Sequence, residues 1–77
     1  MIGDMAQFEP LVSVVAKLIH PRFRRYVEMA DVEQELRVWI LAHTAEAREL
    51  FDRDTLGSRL AGVARYFCQG QKAQVAP

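Results

Sequence analysis

Three runs of apolar residues at helical spacing, parted by two stretches that break helices, constrain this chain more than any other feature. In the first, Leu11, Val14, Val15 and Leu18 recur three and four apart, and Val12 and Ile19 widen the arc. Pro10 stands where a first helical position tolerates proline. His20-Pro21 then ends or kinks the helix, because proline removes a backbone donor and restricts the residue before it. The following "RFRRYVEM" reads as a further turn or two, with Phe23, Tyr26 and Val27 inward and Arg22, Arg24 and Arg25 outward.

The second run starts at Asp31, a suitable N-cap whose carboxylate can accept from free amides, with Glu33 and Glu35 favouring the positive end of the helix dipole. It either continues through "ILAHTAEARELF" or stops, with Thr44 capping a separate helix that carries Ala47, Leu50 and Phe51. The string "DRDTLGS" has turn chemistry, with Gly57 free to take a positive φ and Ser58 placed to cap the next helix. That helix is expected over about 59–69, with Leu60, Val63, Ala64 and Phe67 inward and Arg59, Gly62, Arg65, Tyr66 and Gln69 outward. After Gly70 the tail has too few apolar residues to pack and is expected to fray. The pattern has no strand signature. It predicts an all-α fold, a compact bundle of three or four helices in a single domain over 1–77, with its core at about 8–69 and a flexible tail at 70–77.

The second helix carries a puzzle. Val32, Leu36, Trp39, Ile40 and His43 share one arc, yet Val38 and Leu41 fall on the other side with Gln34 and Arg37. Either a neighbouring helix covers that second side or a partner does.

At 77 residues the chain is near the lower limit for a fold held by one apolar core. With 51% apolar and 26% charged residues, it has the composition of a globular protein rather than a disordered one. The lone Cys68 permits no internal disulfide and no thiolate cluster for zinc, which suits a reducing, cytoplasmic setting. The apolar stretch from Leu11 to Ile19 is interrupted and too short to span a bilayer, so no membrane is expected as partner. Net charge is zero but unevenly spread. Residues 28–54 hold eight of the acids, whereas 55–77 hold Arg59, Arg65 and Lys72 and no acid.

Catalytic raw material is sparse. His20 beside Pro21 reads as a helix-end residue, and His43 lies on the apolar arc. Glu33 and Glu35 are two apart and face different ways. No zinc-protease motif, phosphate-cradling glycine loop or nucleophile elbow is present. The expectation is a protein that is no enzyme and holds no cofactor.

A resemblance adds to this reading. "DVEQEL" looks like the D-x-x-Q-E signature in the second conserved region of bacterial sigma factors, the detachable promoter-recognising subunits of RNA polymerase. "FDRDTLGSRLAGVARYFCQ" resembles the later part of that region through Phe51, Asp52, Ser58, Leu60 and Val63-Ala64-Arg65. An apolar helix followed by a basic aromatic "RRY" stands upstream in the expected order, so the match covers roughly Phe8 to Lys72.

The resemblance implies a helix that packs on the coiled coil of the β′ clamp of RNA polymerase, with contacts at Asp31, Gln34, Glu35, Arg37, Val38 and Leu41. It further implies that Arg59, Arg65, Tyr66, Gln69 and Lys72 hold the opened non-template promoter strand. The family's aromatic cluster and closing run of arginines are mostly missing here, and 77 residues leave no room for its later helix-turn-helix domain. The chain is therefore expected either to complete a split sigma factor with a second sigma-like chain, or to occupy the clamp and inhibit the host sigma, as a small phage-borne protein would. The alternative is a small helical DNA-binding or adaptor protein, dimeric through Val38 and Leu41.

Overall fold

A computed structural model describes residues 2–75 and is all-α, with no strand among the described residues. Four helices follow in order: α1 (Ile2–Ile19), α2 (Met29–Ala42), α3 (Thr44–Asp52) and α4 (Leu56–Val75). A 3-10 turn (His20–Arg22) lies between α1 and α2. α2 folds back along α1, α4 packs on both, and the short α3 crosses over to α4 and α2. The shared core holds Phe8, Val12, Val15, Ala16 and Ile19 of α1, Val32, Leu36 and Ile40 of α2, and Leu56, Leu60, Ala64 and Cys68 of α4.

α1 starts well before Pro10, which lies inside the helix on its exposed side and cannot donate to the carbonyl one turn back. A buried reward offsets that loss. Phe8 is fully buried and meets Phe51 of α3 edge to face, with ring centroids 5.3 Å apart. The same contact corrects the expected orientation of α1. Two apolar stripes compete on this helix, and Val14 and Leu18, expected inside, are 60% and 67% exposed. The stripe of Phe8, Val12, Val15 and Ile19 wins because it carries the largest side chain and sits beside Ala16, which lets a neighbour approach closely.

The second helix ends at His43, and α3 is a separate helix. Thr44 does not cap α3. Its hydroxyl donates backward to the carbonyls of Leu41 (3.0 Å) and Ile40 (3.3 Å) in the last turn of α2. Asp31 is likewise not an N-cap, because α2 begins two residues earlier after Glu28 and places Asp31 in its first turn.

Between α3 and α4 the positive φ falls on Asp54 (61°) rather than on Gly57. The Thr55 amide donates to the Leu50 carbonyl at 2.9 Å and the Asp54 amide to that of Phe51 at 3.0 Å, the paired bonds of a Schellman stop. Gly57 instead lies in the first turn of α4, 3.5 Å from Leu11 Cδ1 by the position its Cβ would take. Ser58 is also inside α4 and caps nothing.

The expected end at Gly70 does not occur, since α4 runs on to Val75; residues 76 and 77 of the expected tail lie outside the described residues. Cys68, within the expected span of the helix, is buried against the core, and burial raises its thiol pKa, which keeps it neutral. Gly70 has open space around its Cβ position. Gly70→Ala is therefore expected to stabilise the fold by about 0.5–1 kcal/mol, a rise in Tm of roughly 2–8 °C by thermal circular dichroism. Leu60→Asp, which places a charge in the core, is expected to abolish the folded transition in the same measurement.

Candidate functional site on the second helix

Burial of Val32, Leu36 and Ile40 turns the opposite arc of α2 outward. Along that arc run Asp31, Gln34, Val38 and Leu41, all exposed, with Val38 at 48% and Leu41 at 65%. The second apolar side of α2 is thus not covered by its own molecule. Asp31 leaves its carboxylate at the positive end of α2 while its amide donates to the Glu28 carbonyl at 3.0 Å.

The other two residues expected on this surface flank it on different sides. Arg37 turns toward α1, where Nε and Nη2 reach the two carboxylate oxygens of Glu9 at 2.8 and 3.0 Å, and Glu33 stands 3.9 Å away. This bidentate pair ties α1 to α2 and uses the guanidinium inside the molecule. Glu35 turns toward α4 and is half-buried at an open cleft of about 720 Å³, whose walls include Trp39, Ser58, Arg59, Gly62 and Tyr66.

The residues expected to hold a nucleic-acid strand divide as well. Arg59 pairs with Glu46 of α3 at 3.1 Å and lies 5.9 Å from the centroid of the Trp39 ring. Tyr66 is 83% exposed and presents an open ring, with Gln69 exposed one turn later. Arg65 and Lys72 occupy another flank of α4, and Lys72 Nζ sits 5.8 Å from the centroid of the Tyr26 ring in the loop after α1.

His43, expected on the apolar arc, is exposed instead. Its ring stacks on Trp39 with centroids 4.5 Å apart and pairs through Nδ1 with the Trp39 carbonyl at 2.9 Å, so it finishes the helix. Among the described residues no group of three His, Cys, Asp or Glu side chains is placed to hold a metal, and no helix is long and apolar enough to cross a membrane.

Sequence reasoning missed Glu9, because a pairing across 28 positions has no local signal. It also missed the cleft, which exists only where α2 and α4 converge; the signal available was Trp39 and Arg59, whose types favour a cation over a ring. No family model, curated protein or solved structure matches the chain.

The hydrogen bonds from Arg37 hold the Glu9 carboxyl below its ordinary value near 4.5. A carboxyl whose folded pKa is depressed stabilises the fold above its unfolded pKa, and loses that contribution as pH falls through the folded value. Both side chains are more than a third exposed or close to it, so solvent screens the pair and its worth at neutral pH is under about 1 kcal/mol. Urea titrations should show Glu9→Gln less stable than the parent at pH 7, with the difference vanishing once the pH is well below the ordinary carboxylate value.

Proposed function

We propose that the chain is a sigma-like transcription regulator that docks on the β′ clamp coiled coil of RNA polymerase through the outer stripe of α2. The observation that carries this reading is the open arc of Asp31, Gln34, Val38 and Leu41 on a helix whose other side is core. Docked helices need an apolar anchor and hydrogen-bonding groups that set register, and this arc supplies both. Leu41 is the anchor, Gln34 donates and accepts at once, and Asp31 pairs with a cation on the partner. Asp31 and Gln34 of D-x-x-Q-E stand on that arc, which supports the resemblance to sigma factors, while Glu35 lies off it toward α4. Arg37 and Glu35 act from the flanks, Arg37 by bracing α2 against α1.

The protein either completes a split sigma factor together with a second chain or blocks the clamp against the host sigma. It is no enzyme in this reading, and Tyr66 and Gln69 offer a reduced surface for an opened promoter strand. In a reconstituted transcription assay, a split sigma activates a dedicated promoter when the second chain is present, whereas a blocker suppresses ordinary promoters.

Docking is tested by capture of purified core polymerase. Gln34→Ala combined with Leu41→Asp is expected to weaken capture by at least about thirtyfold, the loss typical of a central anchor, with helicity unchanged because both side chains are solvent-facing. Capture at unchanged affinity would show the docking model to be wrong. Steeply salt-dependent binding to DNA with no affinity for core polymerase would favour a DNA-binding or adaptor protein instead.

A further inference from the structure

The loop between α1 and α2 holds three exposed arginines, Arg22, Arg24 and Arg25. None of them carries an ion pair among the described residues; the carboxylates of Glu9, Glu33, Glu46 and Glu49 are engaged by Arg37, Arg53 and Arg59. Glu28, exposed at the far end of the loop, is the nearest acid in sequence and pairs with none of the three.

The loop is also stiff. Amides of Phe23, Tyr26 and Val27 donate to carbonyls of His20 (2.8 Å), Phe23 (2.8 Å) and Phe23 (3.1 Å), and the His20 Nε2 reaches the Val27 carbonyl at 2.8 Å across seven residues. Buried Val27 and half-buried Phe23 plug the loop into the core, and Pro21 fixes one backbone angle. The arginines are therefore held outward on a preformed turn, with little backbone freedom to lose on binding.

The contact between Lys72 and Tyr26 brings the last turns of α4 beside this loop. Arg65 is seven residues back on nearly the same face of α4, about 10 Å away at 1.5 Å per residue. Five cations thus belong to this loop and to the stretch of α4 that runs beside it, in a molecule whose net charge is zero.

We propose that Arg22, Arg24 and Arg25, continued by Lys72 and Arg65, form a binding surface for the phosphodiester backbone of duplex nucleic acid. Guanidinium forks match phosphate oxygens in pairs, and each phosphate neutralised releases counterions. Binding of a single strand depends on open ring faces on which bases stack. The rings of the loop are not open: Phe23 and Tyr26 are half-buried, and Lys72 lies over Tyr26, while the exposed Tyr66 belongs to the other flank of α4. What remains is charge carried on a fixed turn, which grips a backbone regardless of base sequence. This surface uses none of the residues of the outer stripe of α2 and does not depend on polymerase docking.

The test is fluorescence anisotropy of a labelled duplex oligonucleotide and of its single strand, titrated with the whole chain over a range of salt. The parent is expected to bind the duplex with steep salt dependence. Replacing Arg22, Arg24 and Arg25 together by Ala is expected to cost about tenfold or more at low salt and to reduce the log–log salt slope by about 2.7, or 0.9 for each lost phosphate contact. Glu28→Gln is expected to tighten duplex binding. Should the triple variant lose helicity, Arg24→Glu at its exposed turn position reads the same loss. The proposal is overturned by a parent that does not bind duplex, by a loop variant with unchanged affinity and slope, by losses confined to the single strand, or by preference for phosphatidylserine vesicles over duplex.

Discussion

Leu36, with Val32 and Ile40 one turn to either side, seats α2 against α1 and α4. Everything α2 offers to another molecule depends on that seat. A helix in a three-way packing can bury only one arc, so fixing Leu36 inward fixes Gln34, Val38 and Leu41 outward. The flanks follow from the same rotation. Arg37 arrives beside Glu9 on α1, while Trp39 and Glu35 face Arg59 and the cleft beside α4.

Charge is divided between two uses. Acids along α1, α2 and α3 are taken up by Arg37, Arg53 and Arg59, which fasten one helix to the next or one turn to another. These pairs are partly exposed and worth little in stability, but they define which cations are already engaged. Arg22, Arg24, Arg25 and Arg65 have no such partners among the described residues. A neutral chain thereby keeps unpaired cations in the loop after α1 and on α4, and its apolar stripe on α2 is made of other residues. Two separate partners, one helical and one polyanionic, are compatible with that division.

Much of the candidate site was legible without coordinates. Val38 and Leu41 sit off the main arc of α2 by simple helical geometry, and both are exposed, so no helix of this chain covers them. The inward and outward residues of the loop after α1 follow the same rule, with Val27 buried and Arg22, Arg24 and Arg25 exposed. The assignment of Arg37 to an external contact ignored Glu9, since nothing near Arg37 in sequence indicates a carboxylate from α1. Val14 and Leu18 were placed inside because α1 carries two apolar stripes of similar strength, and periodicity alone does not rank them.

The sequence by itself determined the helical class and, to within a turn, the breaks near His20-Pro21 and Asp52–Thr55, because proline chemistry, turn residues and apolar spacing act locally. It also determined which residues of α2 and α4 share an arc. Only the tertiary structure decided which stripe of α1 is core, how far α4 continues past Gly70, and that Asp54 rather than Gly57 takes the left-handed turn. Those outcomes depend on contacts between segments far apart in the chain, Phe8 with Phe51 and Gly57 with Leu11 among them. A contact of that kind, with Phe8 fully buried at its centre, outweighs the local preference of a single proline or glycine.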